Sequence, residues 1–133
     1  MSKVCKNISE LKNKSSISSV EKLYGIKFPK EMIEFFLENN GGTPINKLFT
    51  ADGKEYELRC FLSFNEDEYN SIHKAIQSYQ TETKGKIAPV AKDSGDNYFC
   101  INIDTGNIYY NDNSDGLYYK LFDKFSDLVK VLN

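Results

Sequence analysis

The sequence is poor in the groups with which proteins most often do chemistry. Histidine occurs once, at His73, and cysteine three times, at Cys5, Cys60 and Cys100, widely spaced and without a CxxC pair. A structural zinc site needs four closely organised thiolate or imidazole ligands, and a disulfide framework normally needs an even number of thiols. The expectation is therefore three reduced thiols, with Cys60 and Cys100 serving as small hydrophobes in apolar strand patterns. His73 falls on the flank of a helical pattern, with no serine or cysteine whose activation the sequence makes evident, so a nucleophile–histidine pair is not expected. There is no P-loop and no GxGxxG; Gly41-Gly42 lies at the end of a helical pattern rather than before one, the wrong place to cradle a phosphate. No apolar run approaches the roughly 18–20 residues that cross a bilayer, and Met1 to Asn7 lack the apolar centre of a secretory signal. A cytoplasmic protein is expected, with no catalytic residues, no metal and no cofactor.

Repeats, low-complexity tracts and linkers are also missing. The chain has 133 residues, 40% hydrophobic and 14% aromatic, enough for one real core and too little for two ordinary domains. Residues 1–16 are polar, rich in Lys and Asn and without clear periodicity, and are expected to form a loose arm or a weakly held helix; residues 17–133 are expected to form the domain.

What is present is an uneven distribution of charge. The net charge is only −2, yet residues 1–30 carry seven lysines against Glu10 and Glu21, and residues 93–133 carry seven aspartates against Lys120, Lys124 and Lys130. Nucleic-acid binders place aromatics in a basic face, whereas here the aromatic-rich half is the acidic one. Direct binding of DNA or RNA is therefore not expected, and a basic protein partner is.

The pattern along the chain is that of an α+β domain. Ser18 with Glu21 three residues later predicts a helix start, and Gly25 stops that helix. Pro29 opens a second helix, in which Ile33, Phe36 and Leu37 form the apolar stripe, and Asn39-Asn40-Gly41-Gly42 closes it with residues that accept the left-handed conformation. Segments 45–50 and 56–62 flank Asp52-Gly53, a hairpin signal, and Tyr56, Leu58, Cys60 and Leu62 share one face. Glu66-Asp67-Glu68 predicts the start of a third helix carrying Tyr69, Ile72, Ile76 and Tyr79, with residues 81–86 as a polar connector. The central stretch, residues 87–110, holds an apolar run, the acidic turn Asp93-Ser94-Gly95-Asp96 and a hairpin from Tyr98 to Asn111 turning at Asp104-Thr105-Gly106, with Phe99, Ile101 and Ile103 on the core side. Another strand follows over residues 117–122. A last helix, capped by Asp123, places Phe125, Leu128, Val129 and Leu132 on one face. The order predicts helices packed on a largely antiparallel sheet: an N-terminal helix pair, a middle helix and a C-terminal one.

Two acidic stretches invite a chemical reading. Asn111, Asn113, Asp115 and Gly116 occupy the first, third, fifth and sixth positions of a calcium-loop pattern, but Phe122 stands where a bidentate glutamate is required and strands flank the loop. Asp93 and Asp96 around Gly95 are explained by turn geometry without invoking acid–base work or Mg²⁺. Tyr98, Tyr109, Tyr110, Tyr118 and Tyr119 crowd into the same acidic half, and tyrosine beside aspartate is the composition of a protein-binding surface. Consecutive Tyr-Tyr pairs in a strand point to opposite faces, so about half of them belong to the core on the period-two rule.

Val20 to Gly42, VEKLYGIKFPKEMIEFFLENNGG, resembles the opening of the SUKH superfamily: a short helix, "ygi-x-LP", a second helix and an Asn-Gly-Gly exit, with Phe28 in place of the usual leucine. Ile87 to Asp96, IAPVAKDSGD, is similar to the family's "ipiA-x-d-sgGd" element, with Asp96 where a second glycine is common, or the chain one residue shorter there. The segment from Phe122 to Leu128 resembles its closing helix motif. The resemblance spans roughly residues 18–132 in the expected order and implies an α+β fold without enzymatic activity. It also implies a role like that of bacterial members that bind and neutralise nuclease toxins, or, alternatively, that of intracellular interaction scaffolds. The expected contact surface for a basic toxin domain comprises Asp93, Asp96, Tyr110, Asp112 and Asp115.

Overall fold

The computed structural model describes residues 4–133. Nine strands and four helices follow one another among these residues: β1 (Cys5–Lys6), α1 (Ser16–Tyr24), α2 (Lys30–Asn39), β2 (Thr43–Pro44), β3 (Leu48–Ala51), β4 (Lys54–Glu57), β5 (Cys60–Phe61), α3 (Ile72–Thr83), β6 (Ile87–Lys92), β7 (Tyr98–Asn102), β8 (Ile108–Asn111), β9 (Tyr118–Phe122) and α4 (Phe125–Leu132). The main sheet runs β5-β6-β7-β8-β9, antiparallel throughout; β3 and β4 form a separate hairpin, and β1 pairs with β2. This is the expected α+β architecture, with the central hairpin at its expected limits.

The turns follow local chemistry. Asp52 and Gly53 both have positive φ, 50° and 77°, the conformation that matches the twist of a two-residue hairpin. At the β7–β8 turn Gly106 takes φ 80°, but the side chain that ties the turn is Asn102 rather than Asp104. Its Oδ1 accepts from the N–H groups of Asp104 (2.9 Å) and Thr105 (3.1 Å).

Strand β7 is buried on both faces. Phe99 and Ile101 face the β3–β4 hairpin and the α2–α4 pair, as expected, whereas Cys100 is equally buried under α3. On the first side Phe49 and Tyr56 pack against Phe99, and a phenylalanine cluster of Phe28, Phe35, Phe36, Phe61, Phe64 and Phe125 fills the space beneath α2 and α4. On the other, Tyr79 of α3 meets Tyr98 and Tyr118 edge-on. All three thiols are free and buried, and burial pushes Cys5 and Cys100 up to about 12, so neither is poised to form a thiolate.

Several helices differ from the sequence expectation, in where they start or in the face they bury. Helix α1 begins two residues before Ser18, with Ser15 at its N-cap, and Glu21 accepts from the Phe28 N–H (2.7 Å). Helix α2 buries Met32 and Phe36 while Leu37 is 52% exposed, so its apolar stripe is turned from the expected one. Helix α3 starts at Ile72, capped by Ser71 Oγ from the His73 N–H (3.1 Å), and continues to Thr83 through much of the expected connector. Helix α4 has Lys124 at its N-cap without a side-chain bond, because Asp123 pairs with Lys120 at 2.8 Å.

The described part of the N-terminal arm, expected to be loose or weakly helical, is a strand and loop fastened to the body. Ser9 N–H donates to the Asn40 carbonyl (2.9 Å), Asn40 Nδ2 donates to the Ser9 carbonyl (2.8 Å), and Asn65 Oδ1 accepts from the Lys12 N–H (3.0 Å). Glu68, expected at a helix N-terminus, instead accepts from Ser63 Oγ (2.5 Å) and Ser9 Oγ. Burial alone would raise its pKa, but the bonds from Ser63, Ser9 and Asn65 together hold it below the ordinary glutamate range. A depressed folded-state pKa contributes stability above the unfolded pKa of about 4.3 that disappears as pH falls through the folded value. Urea unfolding from pH 6 to pH 3 should therefore show wild type more stable than Glu68→Gln at pH 6 and the gap closing on acidification. A gap independent of pH would contradict the assignment.

Candidate functional site

The β3–β4 hairpin lies over the end of the main sheet, and the turn regions after β6 and β8 meet it there. Between them is a cleft of about 410 Å³ lined by Lys54, Glu55, Tyr56 and Glu57 of β4, Asp93 after β6, Tyr110 of β8, Asp112 and Asp115 of the following loop, and Tyr119 of β9. Four of the five residues expected at the contact surface are brought together here. Asp96 does not line the cleft. It sits on the turn beyond, its carbonyl accepting from Asn113 Nδ2 (2.6 Å) and its carboxylate 4.0 Å from Lys92 Nζ. Its φ of 61° is the conformation glycine adopts freely and aspartate tolerates, which accounts for an aspartate where glycine is common.

Strand pairing explains the convergence. Register places Phe99 opposite Tyr110 and Tyr110 opposite Tyr119, so both tyrosines share the Phe99 face, while Tyr98, Tyr109 and Tyr118 lie on the α3 side. Tyr56 extends the first group, its ring 5.0 Å from that of Tyr110. Of the five tyrosines crowded in the acidic half, two thus reach the cleft.

The carboxylates are held in place. Asp93 Oδ1 accepts from the N–H groups of Gly95 and Asn97, both at 2.9 Å, and its Oδ2 accepts from the Tyr110 hydroxyl at 2.6 Å. Asp112 Oδ1 accepts from Ser114 N–H (2.9 Å) and Oγ (2.7 Å), and these bonds hold its carboxyl below the usual range. Asp115 Oδ1 accepts from Leu117 N–H (2.8 Å), and its other oxygen accepts from the Tyr119 hydroxyl. The phenols respond in the opposite sense. Burial, then the bond to Asp93, raises Tyr110, and the bond to Asp115 raises Tyr119, so both remain protonated donors. Asn113 N–H to Asn97 Oδ1 (2.7 Å) and Ser94 N–H to Glu57 Oε1 (3.0 Å) latch the two turns to each other and to β4.

In sum of charge, five carboxylates face one lysine, and that Lys54 Nζ lies 5.5 Å over the Tyr119 ring. Such a surface attracts positive charge and repels negative charge. Glu55, Tyr56 and Glu57 were not singled out as site residues by the sequence reading. Their signal was the Asp52-Gly53 turn immediately before them, which announces a hairpin without saying which part of the sheet it covers.

The calcium-loop pattern does not converge. Asn111 accepts from the Tyr79 hydroxyl (2.7 Å) and donates to Leu117 (3.1 Å), Asn113 reaches Asp96, and Asp115 reaches Tyr119. Among the described residues no three His, Cys, Asp or Glu side chains are grouped so as to hold a metal ion, and no helix is long and apolar enough to cross a membrane. The His73 side chain makes no hydrogen bond among the described residues; its backbone N–H donates to Ser71 Oγ and its carbonyl accepts from the Tyr24 hydroxyl (3.4 Å).

A family model, that of the SMI1 / KNR4 family (SUKH-1), matches residues 13–130. The chain belongs to the SUKH-1 family. The match covers α1 to α4, and so includes every element that builds the cleft of this SUKH-1 protein. The SPbeta prophage-derived uncharacterized protein YokK of Bacillus subtilis (strain 168) is 24% identical to it over 137 residues, an alignment spanning 85% of this chain and 70% of the relative.

Proposed function

We propose that this SUKH-1 protein is a non-enzymatic immunity protein, which binds a basic toxin domain through the acidic, tyrosine-lined cleft and blocks it. The observation that carries this reading is the excess of five carboxylates, all but Glu55 tied by hydrogen bonds, over one lysine around Tyr56, Tyr110 and Tyr119. A nuclease must attract phosphate and so presents a positive cleft; an acidic partner approaches it with electrostatically accelerated association. Preorganisation favours binding further, since the loops that carry Asp93, Asp112 and Asp115 are already tied and lose little freedom on docking. The tyrosines add large contact area with few rotatable bonds. A complete interface of about 800 Å² per partner extends beyond the cleft, and Asp96 on the adjoining turn is placed to join its rim.

The carboxylates also argue against turnover. Asp93, Asp112 and Asp115 each accept a backbone N–H of their own turn, work that fixes them as surface features. The test is a pull-down from the native host, followed by expression of the captured partner's toxic domain in a sensitive strain. Wild type should restore growth, and Asp112→Lys/Asp115→Lys should lose protection at equal expression. Glu55→Lys, whose exposed side chain makes no hydrogen bond among the described residues, should weaken protection without disturbing a turn. Protection by both variants as complete as by wild type would place the contact elsewhere. A captured partner with no toxicity would support the interaction scaffold instead.

A further inference from the structure

A second groove, sharing no lining residue with the acidic cleft, runs between α2 and α4. It encloses about 510 Å³, with Phe35, Phe125 and Val129 among its apolar lining and Glu31, Glu34 and Glu38 of α2 along one side. Phe35 and Val129 are partly buried and pack against the core, and the Phe35 ring meets that of buried Phe125 edge-on at 5.3 Å, so an apolar side chain entering here would meet the remaining open edge of Phe35.

The rim is charged in a way that, apart from Glu31 in the first turn where a carboxylate suits the dipole, works against the helix carrying it. Glu31, Glu34 and Glu38 lie three and four residues apart, where like charges repel. Glu38 stands in the last turn of α2, where the helix dipole disfavours a carboxylate and where no basic residue offsets it. Lys30 reaches Glu34 only at 4.0 Å, Glu31 and Glu38 have no ion pair among the described residues, and the lysine across the groove, Lys130, lies 3.9 Å from Asp127. These are unfavourable placements for an isolated helix and favourable ones for a cation brought from outside.

We infer that the α2–α4 groove is a docking site for a short basic segment of a partner protein, one that inserts a single large apolar side chain over Phe35 and Val129 and presents flanking Lys or Arg to Glu31, Glu34 and Glu38. The charge selects this occupant over a symmetric pairing of the groove with itself in a second copy, which would set one acidic rim against another. The inference does not depend on the immunity reading, because groove and cleft are built from different residues.

The test is a selection of random twelve-residue peptides displayed on phage against the immobilised full chain. Enriched peptides should carry at least two Lys or Arg around one Leu, Ile, Phe or Met. Synthesised, they should shift the backbone amide resonances of Phe35, Val129 and Asn133, bind Glu34→Lys/Glu38→Lys about tenfold more weakly or worse, and bind Asp112→Lys/Asp115→Lys within about twofold of wild type. Glu34 and Glu38 are exposed, and circular dichroism verifies that the double variant stays folded. The inference is overturned if nothing is enriched, if the winners are neutral or acidic, if their shifts map to the cleft, or if the rim reversal leaves affinity unchanged. It is equally overturned if sedimentation shows a concentration-dependent dimer that the rim reversal abolishes.

Discussion

Replacing Phe36 with alanine should lower the unfolding free energy by about 3–5 kcal/mol and the melting temperature by roughly 10–20 °C. The side chain is 0% exposed and its ring lies 5.1 Å from Phe64, 5.7 Å from Phe35, 5.8 Å from Phe61 and 6.2 Å from Phe125. Deleting it removes the transfer energy of a phenyl group and leaves a void that the four surrounding rings cannot close at once. For a domain whose total stability is about 5–15 kcal/mol, that is a large share. Urea unfolding followed by circular dichroism measures it. The informative control is Leu37→Ala one residue on, 52% exposed, which should cost about 0.5 kcal/mol or less. Comparable losses at both positions would contradict the helix rotation described above.

Asn40→Ala should be the costliest polar substitution, at about 2–4 kcal/mol. Asn40 is 1% exposed, and its side chain serves three partners: Nδ2 donates to the Ser9 carbonyl (2.8 Å) and Ser63 Oγ (3.0 Å), and Oδ1 accepts from the Phe64 N–H (2.9 Å). Truncation leaves a buried N–H and a carbonyl without partners, each worth about 1–3 kcal/mol. The arm should also loosen, since Ser9 loses this amide and keeps only the Asn40 backbone carbonyl and Glu68, so limited proteolysis should cut near residues 6–14 faster than in wild type. Stability within 1 kcal/mol of wild type and unchanged proteolysis would show that water replaces the amide there.

Asn40 also marks where sequence reasoning stops. The Asn-Asn-Gly-Gly run reads as a helix exit chosen for its backbone, and Gly41 does take φ 64°. Asn40 itself sits at φ −54°; it is there for its side chain, whose partners lie 23 to 31 residues away in sequence. Glu68 repeats the lesson, standing at an expected helix start and taken by Ser9, 59 residues away. Glu21 and Asp123 are diverted by nearer partners, the Phe28 N–H and Lys120. Periodicity and turn chemistry, by contrast, are local, which is why both hairpins and all four helices could be read directly from the order of residues. The site was legible to the extent that strand register made it so. Tyr110, Asp112 and Asp115 adjoin one another along β8 and its loop, and Asp93 joins them through the antiparallel pairing of β6 with β7. The contribution of β4 depends on where a detached hairpin comes to rest, and no local signal encodes that.

Docking of a positively charged protein in the acidic cleft, as proposed above, is open to titration calorimetry of the captured partner domain against wild type and Asp112→Lys/Asp115→Lys, at about 50 and 300 mM salt. Wild-type affinity should fall with salt, the double variant should bind about tenfold more weakly or worse at low salt, and the difference should narrow at high salt as the charges are screened. Equal affinities for the two proteins at low salt, with both unfolding at comparable urea concentrations, would contradict it.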